Sequence, residues 1–170
     1  MRTVSAIVRL INQTNRVVGG IVAMMIIVLT VLILLEVVLR YGFSAPTVWG
    51  TELTTLLFAT YVLLGGGYAL LKGDHVRMDV LYSRFSDRGK AVLDLITAPF
   101  ALLYIGVLFV EGNSMLLEAI ESKRTLSSDW APLMWPWLLA MPIGVGLLGL
   151  QVIANMLSNF WMAATGRGLE

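Results

Sequence analysis

Three ionisable side chains stand at the edges of long apolar stretches, where membrane chemistry could take place. Glu36 and Arg40 are four residues apart with the acid first, the favourable order for an ion pair on a helix. Glu52 follows just inside the next apolar run. A proton or cation relay needs carboxylates near mid-depth, whereas these lie near the ends of their runs. We therefore predict that Glu36, Arg40 and Glu52 form an ion-pair cluster that fixes the first two helices together at the outer face.

The polar turn after the second apolar run is the other place for chemistry. Asp74, His75 and Asp79 could in principle bind a metal ion, but Asp74 is more simply a helix cap and the other two interfacial polar groups. His75 is the single histidine and cysteine is absent, so thiol chemistry and a haem held by two histidines of one copy are excluded. We expect no catalytic residue, metal site or cofactor in this chain. Instead, Lys72, His75, Arg77 and Asp79 are predicted to anchor the helix end at the inner membrane surface.

The composition places these residues in an integral membrane protein. Apolar residues make up 58% of the 170 residues, charged residues 14%, and the mean hydropathy is +0.82. Soluble domains carry about 25% charged residues. With so few, this chain would expose large apolar patches in water and aggregate. The net charge of +1 gives no reason to expect a nucleic-acid partner.

Four apolar runs each approach the roughly 20 residues with which a helix crosses a bilayer. We predict an all-α protein, one membrane domain over residues 1–170, with transmembrane helices at about 17–39, 49–71, 91–120 and 132–158. The third helix is expected to continue beyond the membrane as an amphipathic end. Pro46 and Pro132 suit the first turns of the second and fourth helices, and Pro136 and Pro142 predict a bend in the fourth.

A short arm precedes the first run. Arg2, Arg9 and Arg16 are seven residues apart, so on a helix they would line one face opposite apolar side chains. Such an arm either lies in the headgroup layer or extends the first membrane helix. The first run is longer than the core of a signal peptide and reaches Glu36 and Arg40, so a retained signal anchor is expected.

The lysines and arginines predict the orientation. Nine lie in the arm, in the loop from 72 to 90 and in the C-terminal tail, and three lie in the other connections. The positive-inside rule therefore puts both termini and the central loop in the cytoplasm. Short interfacial helices at the N-terminus and in that loop are compatible with this orientation. Tryptophans, which favour membrane interfaces, agree with this: Trp161 lies at the inner one, and the predicted outer one holds Trp49, Trp130, Trp135 and Trp137.

Small residues predict close helix packing. Three pairs have the four-residue spacing that lets helices approach, and three consecutive glycines in the second helix indicate an unusually close neighbour. The pairs are Gly19/Ala23, Gly65/Ala69 and Ala140/Gly144. The residues predicted to brace the helices or to meet a partner are Glu36, Arg40, Trp49, Glu52, Gly65, Gly66 and Gly67.

The order and spacing of these motifs resemble the small membrane subunit of tripartite ATP-independent periplasmic (TRAP) transporters, the DctQ-like family. That family closes its first helix with an arginine and an aromatic residue and opens its second with a tryptophan and a glutamate. A glycine–x–histidine–x–x–x–aspartate turn follows. The matching residues here are Arg40-Tyr41, Trp49, Glu52 and Gly73-Asp74-His75-Val76-Arg77-Met78-Asp79. The opening of the family's fourth helix is resembled by Trp130, Pro132, Trp137 and Pro142-Ile143-Gly144.

The resemblance implies a non-catalytic scaffold subunit in the bacterial inner membrane. The implied partner is a large permease subunit that works as an elevator and carries the substrate and sodium sites. A periplasmic binding protein would deliver the substrate, an organic anion, by transient contact. Sodium is thus expected in the partner subunit, and a phospholipid could be bound by this chain.

Three other classes of membrane protein compete with this resemblance. One is the small subunit of a tripartite tricarboxylate transporter, against which the turn of Gly73, His75 and Asp79 argues. Another is a self-sufficient four-helix exporter, which needs a membrane-embedded glutamate in its first helix, whereas Glu36 is near the outer end. The third is a membrane anchor for a redox enzyme, which the missing histidine pair and cysteines disfavour.

Overall fold

A computed structural model describes residues 2–73 and 85–165. Within these ranges the chain forms α1 (Arg2–Val37), which continues as a π-helical turn (Val38–Gly42), then α2 (Gly50–Lys72), α3 (Asp87–Glu121), the short α4 (Trp135–Leu138) and α5 (Ala140–Thr165). Four stretches are long and apolar enough to cross a membrane: Thr3–Gly42, Gly50–Lys72, Arg88–Glu121 and Trp135–Thr165. The predicted all-α fold with four membrane helices is confirmed. We name the two ends of the molecule the Arg40 end and the Lys72 end.

The first helix is much longer than the apolar run that predicts it. It begins at Arg2, not near residue 17, and its 36 residues span roughly 54 Å, against about 30 Å of hydrocarbon. The arginine-bearing arm is therefore a helical extension of the first membrane helix, one of the two alternatives left open by the sequence. α3 likewise continues to Glu121, as expected for its amphipathic end.

Local signals set two of the helix ends, and two predicted helix starts are displaced. Gly73 terminates α2 in the left-handed conformation with φ of 81°, and the Ser86 side chain caps α3 by accepting the Gly89 N–H at 3.3 Å. Pro46 and Pro132, however, lie ahead of the helices that they were predicted to open. At the start of α2 the capping group is instead the Thr47 hydroxyl, which accepts the Gly50 N–H at 3.0 Å.

The fourth membrane stretch is interrupted at Leu139, between α4 and α5. Pro142 has no N–H with which to bond the carbonyl group four residues earlier, that of Leu138, so the helix is weakened where the sequence predicted a bend. Pro136 lies in the first turn of α4, where a missing N–H costs nothing.

α1, α2 and α5 form a group of three packed helices, and α3 lies at the side of this group. α1, α2 and α5 are mutually in contact, while α3 packs along α5 and does not form a comparable interface with α1 or α2 within the described residues. Ile105 and Ala119 on α3 and Val145 and Ala154 on α5 are buried. Because the outer surfaces are apolar and exposed, these helices suit a lipid environment.

Glycines make the contacts within the three-helix group close. Gly144 of α5 lies so near the backbone of α2 that a Cβ there would overlap the Leu63 carbonyl oxygen. Gly19 of α1 lies under the ring of Tyr68 in the same way. These two contacts use members of the predicted small-residue pairs, which here pack helices within the chain.

Replacing Gly144 with alanine is expected to destabilise the fold by on the order of 1–3 kcal/mol, because the added methyl group meets a carbonyl oxygen that cannot move aside. Gly106→Ala on α3 is the matched control, since no atom lies within 4 Å of its Cβ position. The control is expected to be neutral or stabilising by up to about 1 kcal/mol through helix propensity. Unfolding in mixed detergent, followed by tryptophan fluorescence, measures both. Equal stability of the two variants would contradict the close approach of α2 and α5.

Candidate functional site

Two clusters of hydrogen-bonded polar side chains lie toward opposite ends of α2. The Arg40 cluster comprises Glu36, Arg40, Thr47 and Thr51. The amide cluster comprises Asn12, Asn15, Gln151 and Asn155.

The Arg40 cluster joins the end of α1 to the start of α2. Arg40 Nη2 lies 2.6 Å from Glu36 Oε1, and Arg40 Nε donates to the same oxygen at 3.2 Å. The other oxygen of Glu36 accepts from the Thr47 hydroxyl and from the Thr47 N–H at 3.3 Å. Arg40 Nη2 also donates to Thr51 Oγ1 at 3.3 Å. Glu36 thus binds both the cation on its own helix and the residue that caps α2.

Glu52 does not belong to this cluster, so that part of the prediction is wrong. Its Oε2 accepts from Ser128 Oγ at 2.7 Å, in the connection between α3 and α4. The Ser128 hydroxyl also accepts the Ala131 N–H at 3.2 Å, so Glu52 holds a folded loop against α2. Successive residues of a helix point about 100° apart, so Glu52 faces away from Arg40. Thr51 occupies the position next to Arg40 that was expected for Glu52.

The glycines of α2 differ in their surroundings. Gly67 is buried, and a Cβ there would overlap Asn15 Oδ1 and lie 3.2 Å from the Leu147 carbonyl carbon. A Cβ at Gly65 would make ordinary contact with Val22 at 3.6 Å, and one at Gly66 would meet nothing within 4 Å. The very close neighbour expected beside the three glycines therefore lies at Gly67.

The remaining predicted residues fall at the two ends of α2. Trp49 directly precedes the helix and is 37% exposed. Its backbone carbonyl oxygen accepts the Leu53 N–H at 2.9 Å. Lys72 closes the helix with its Nζ 5.7 Å from the centre of the Tyr68 ring, a cation–π contact. The other members of the predicted inner anchor, His75, Arg77 and Asp79, lie outside the described residues. Within residues 2–73 and 85–165, no three histidine, aspartate or glutamate side chains come together as a metal site.

The amide cluster is the feature that the sequence reading missed. Gln151 of α5 and Asn15 of α1 are 0% and 1% exposed. Asn15 Nδ2 donates to Gln151 Oε1 at 2.8 Å and to the Leu147 carbonyl at 3.4 Å. Gln151 Nε2 donates to Asn12 Oδ1 and to Asn155 Oδ1, both at 3.0 Å. The Gln151 amide therefore bonds α1 at two positions and its own helix at one.

The carbonyl oxygen of the Asn15 side chain has no conventional hydrogen-bond donor among the described residues. It faces Gly67, at the place where a side chain would otherwise begin. Because a Cβ at Gly67 would overlap this oxygen, the Cα of Gly67 lies beside it. The third helix of the group thus touches the same amide, and only glycine leaves room for it.

A second polar contact on α5 extends the line of amides to α3. Asn159 Nδ2 donates to Asp94 Oδ2 at 3.0 Å. Gln151, Asn155 and Asn159 are spaced by four, so they form one stripe along α5 that bonds α1 at one end and α3 at the other. The four-residue spacing of these amides in an otherwise apolar run is visible in the sequence and indicates a polar face on the helix, but it does not identify the partner residues.

Together these features define a multi-pass membrane protein whose buried amides bond one another across helices. A family model described as "Tripartite ATP-independent periplasmic transporters, DctQ component" matches residues 29–161. This range contains the Arg40 cluster, Gln151 and Asn155, whereas Asn12 and Asn15 precede it.

Curated relatives agree with the family match. The chain is 30% identical over 101 residues to the C4-dicarboxylate TRAP transporter small permease protein of Rhodobacter capsulatus, covering 59% of this chain and 44% of the relative. It is 33% identical over 85 residues to a putative TRAP transporter small permease protein of Haemophilus influenzae, covering 50% and 52%. The ectoine TRAP transporter small permease protein of Halomonas elongata is 22% identical over 126 residues, covering 73% and 64%. The chain spans about half the length of the first two relatives.

The chain belongs to the DctQ component family of TRAP transporters, the small permease subunits. This confirms the resemblance seen in the sequence and decides against the tricarboxylate-transporter, exporter and redox-anchor classes.

Replacing Gln151 with leucine is expected to destabilise the helix group by on the order of 1–3 kcal/mol, because Asn12, Asn15 and Asn155 each lose a partner. The double variant Asn15→Leu/Gln151→Leu should cost less than the sum of the single changes, since both single changes break the same bond. Thr97→Val is the control, because its hydroxyl bonds only carbonyls of its own helix. Unfolding in mixed detergent provides the measurement, and strictly additive single changes would contradict a shared network.

Proposed function

We propose that this chain is a non-catalytic scaffold subunit of a TRAP transporter in the bacterial inner membrane. It pairs, as one membrane domain, with a large sodium-coupled permease subunit of the elevator type. A periplasmic binding protein delivers an organic anion to that permease. The family match over residues 29–161 carries the proposal.

The placement of the polar groups supports a scaffold role. The Glu36 carboxylate is engaged by Arg40 and Thr47, and the buried Gln151 amide by Asn12, Asn15 and Asn155. A permeation path needs polar groups that face a space open to the ion or substrate. These groups bond neighbours within the chain and tie helices to one another, which suits a static wall beside a moving transport unit.

The named substrates of the relatives support a substrate site outside this subunit. One relative is the small subunit of a C4-dicarboxylate transporter and another that of an ectoine transporter. Small subunits of related sequence thus accompany chemically different substrates. We infer that substrate selection and sodium coupling reside in the large subunit and in the binding protein.

The orientation forms part of the proposal. The excess of lysine and arginine in the arm, central loop and tail favours cytoplasmic termini, so that the Arg40 end faces the periplasm and the Lys72 end the cytoplasm.

Single cysteines test this orientation, because the chain contains no cysteine of its own. In spheroplasts, Ser127→Cys at the Arg40 end is expected to react with a membrane-impermeant maleimide. Ala164→Cys near the end of α5 should react only after the membrane is permeabilised. The reverse pattern would contradict the cytoplasmic termini.

The subunit role predicts that this chain co-purifies with a much larger membrane protein when both are expressed together in nanodiscs or mild detergent. Proteoliposomes holding this chain alone should take up a labelled C4-dicarboxylate and labelled ectoine no faster than empty vesicles. Uptake by this chain alone would contradict the scaffold role. Failure of any large membrane protein to associate would contradict the subunit role.

A further inference from the structure

The seam between α1 and α2 carries a row of open holes. We use "seam" for the face on which side chains of these two helices meet away from α5. Three holes follow one another from the Arg40 end, with volumes of about 300, 330 and 430 Å³. Their linings come from α1, the π-helical turn and α2, and include no residue of α3, α4 or α5. The first two holes share Ile33, Thr54 and Thr55, so they are adjacent.

The holes repeat with a period of seven residues on α1. Moving seven residues toward the N-terminus converts all but Tyr41 of the first hole's residues from α1 and the π-helical turn into those of the second hole, and all but Ile33 of the second hole's into those of the third. These residues are Ile33, Glu36, Val37, Arg40 and Tyr41 for the first, Ile26, Leu29, Thr30 and Ile33 for the second, and Gly19, Val22 and Ala23 for the third.

On α2 the same period relates the second hole to the third, whereas the first and second holes share Thr54 and Thr55. Thr54, Thr55 and Phe58 line the second hole. Tyr61, Val62 and Gly65, each seven residues later, line the third. Seven residues correspond to a rise of about 10 Å, so the second and third holes are separated by two turns of helix.

We propose that one transmembrane helix of the large permease subunit lies along this seam and inserts a bulky apolar side chain into each hole. The inference rests on the proposed function and specifies the surface that meets the partner. Holes at heptad spacing are what a helix requires, because its own side chains return to one face every seven residues when helices cross at a shallow angle. A lipid acyl chain has no such period and would need only a continuous groove.

The two ends of the seam specify different features of the partner helix. At the Lys72 end, Ala23 and Gly66 line the third hole, and a Cβ at Gly66 would meet nothing within 4 Å, so a partner backbone can approach closely there. At the Arg40 end, the guanidinium of Arg40 and the hydroxyl of Thr51 line the first hole, and the Arg40 side chain is 44% exposed despite its pairing with Glu36. The partner helix should therefore present a hydrogen-bond acceptor beside Arg40 and its small residues near Gly66.

Photo-crosslinking from α1 tests the seam with a control on the same helix. A benzophenone amino acid at Ile33 faces the holes, whereas one at Val31 points about 200° away at nearly the same depth. The two native side chains are similarly exposed, at 48% and 58%. In membranes containing both subunits, the yield of crosslinks to the large subunit should be roughly tenfold higher from position 33 than from position 31. A tenfold ratio corresponds to a difference of about 1.4 kcal/mol in free energy between contact at the two positions.

Filling a hole provides an independent test. Ala23→Phe places a ring where the partner's side chain is to sit, and the large subunit retained on purification should fall roughly tenfold, in keeping with overpacking penalties. Met24→Phe, on the opposite side of α1, is the control and should retain the partner fully. Equal melting temperatures of the two purified variants establish that the fold of this chain is unchanged.

The outcomes separate this inference from the function on which it rests. If the large subunit co-purifies but crosslinks equally from positions 31 and 33, or only from exposed α3 positions such as Leu103, the seam is not its docking site although the subunit role stands. A product of twice the mass of this chain would assign the seam to a second copy, and crosslinks to lipid alone would assign it to the bilayer. Either result overturns the inference. Absence of co-purification by the unaltered chain would overturn the proposed function itself.

Discussion

The burial of amide side chains between apolar helices is the constraint on which the arrangement of α1, α2 and α5 depends. Asn15 and Gln151 are removed from solvent and bond each other across two helices, and Gly67 of the third helix closes against the same amide. Measured interhelical hydrogen bonds in membranes contribute about 0.6 kcal/mol each on average. Their larger effect is on specificity, because another register would leave several buried polar atoms without partners.

This constraint acts close to one membrane surface. Gly67 lies five residues before the end of α2, which puts the amide cluster about 8 Å inside the Lys72 end. The Arg40 cluster fastens α1 to α2 at the other end through Glu36 and Thr47. α1 and α2 are thus held together at both ends of α2. The distance between the two helices along the seam is therefore constrained from both ends.

The sequence predicts the number and kind of helices because hydropathy alone decides which segments leave water. It predicts less about helix ends and partners, which depend on tertiary contacts. The arm before the first apolar run is helical in the structure and bonds α5 through Asn12 and Asn15, residues far from their partners in the chain. The choice between Thr51 and Glu52 as the neighbour of Arg40 turns on about 100° of helix rotation, which no local pattern records.

The contact between Gly144 and the Leu63 carbonyl has a consequence for motion. Helices that meet through side chains can slide past each other by one turn, because one set of flexible groups replaces another. Here a slip of one turn would bring Ala140 or Leu148 to the place of Gly144, and not even a methyl group fits against that carbonyl. A slip of one turn between α2 and α5 is therefore blocked in either direction, so these two helices resist shear along their length.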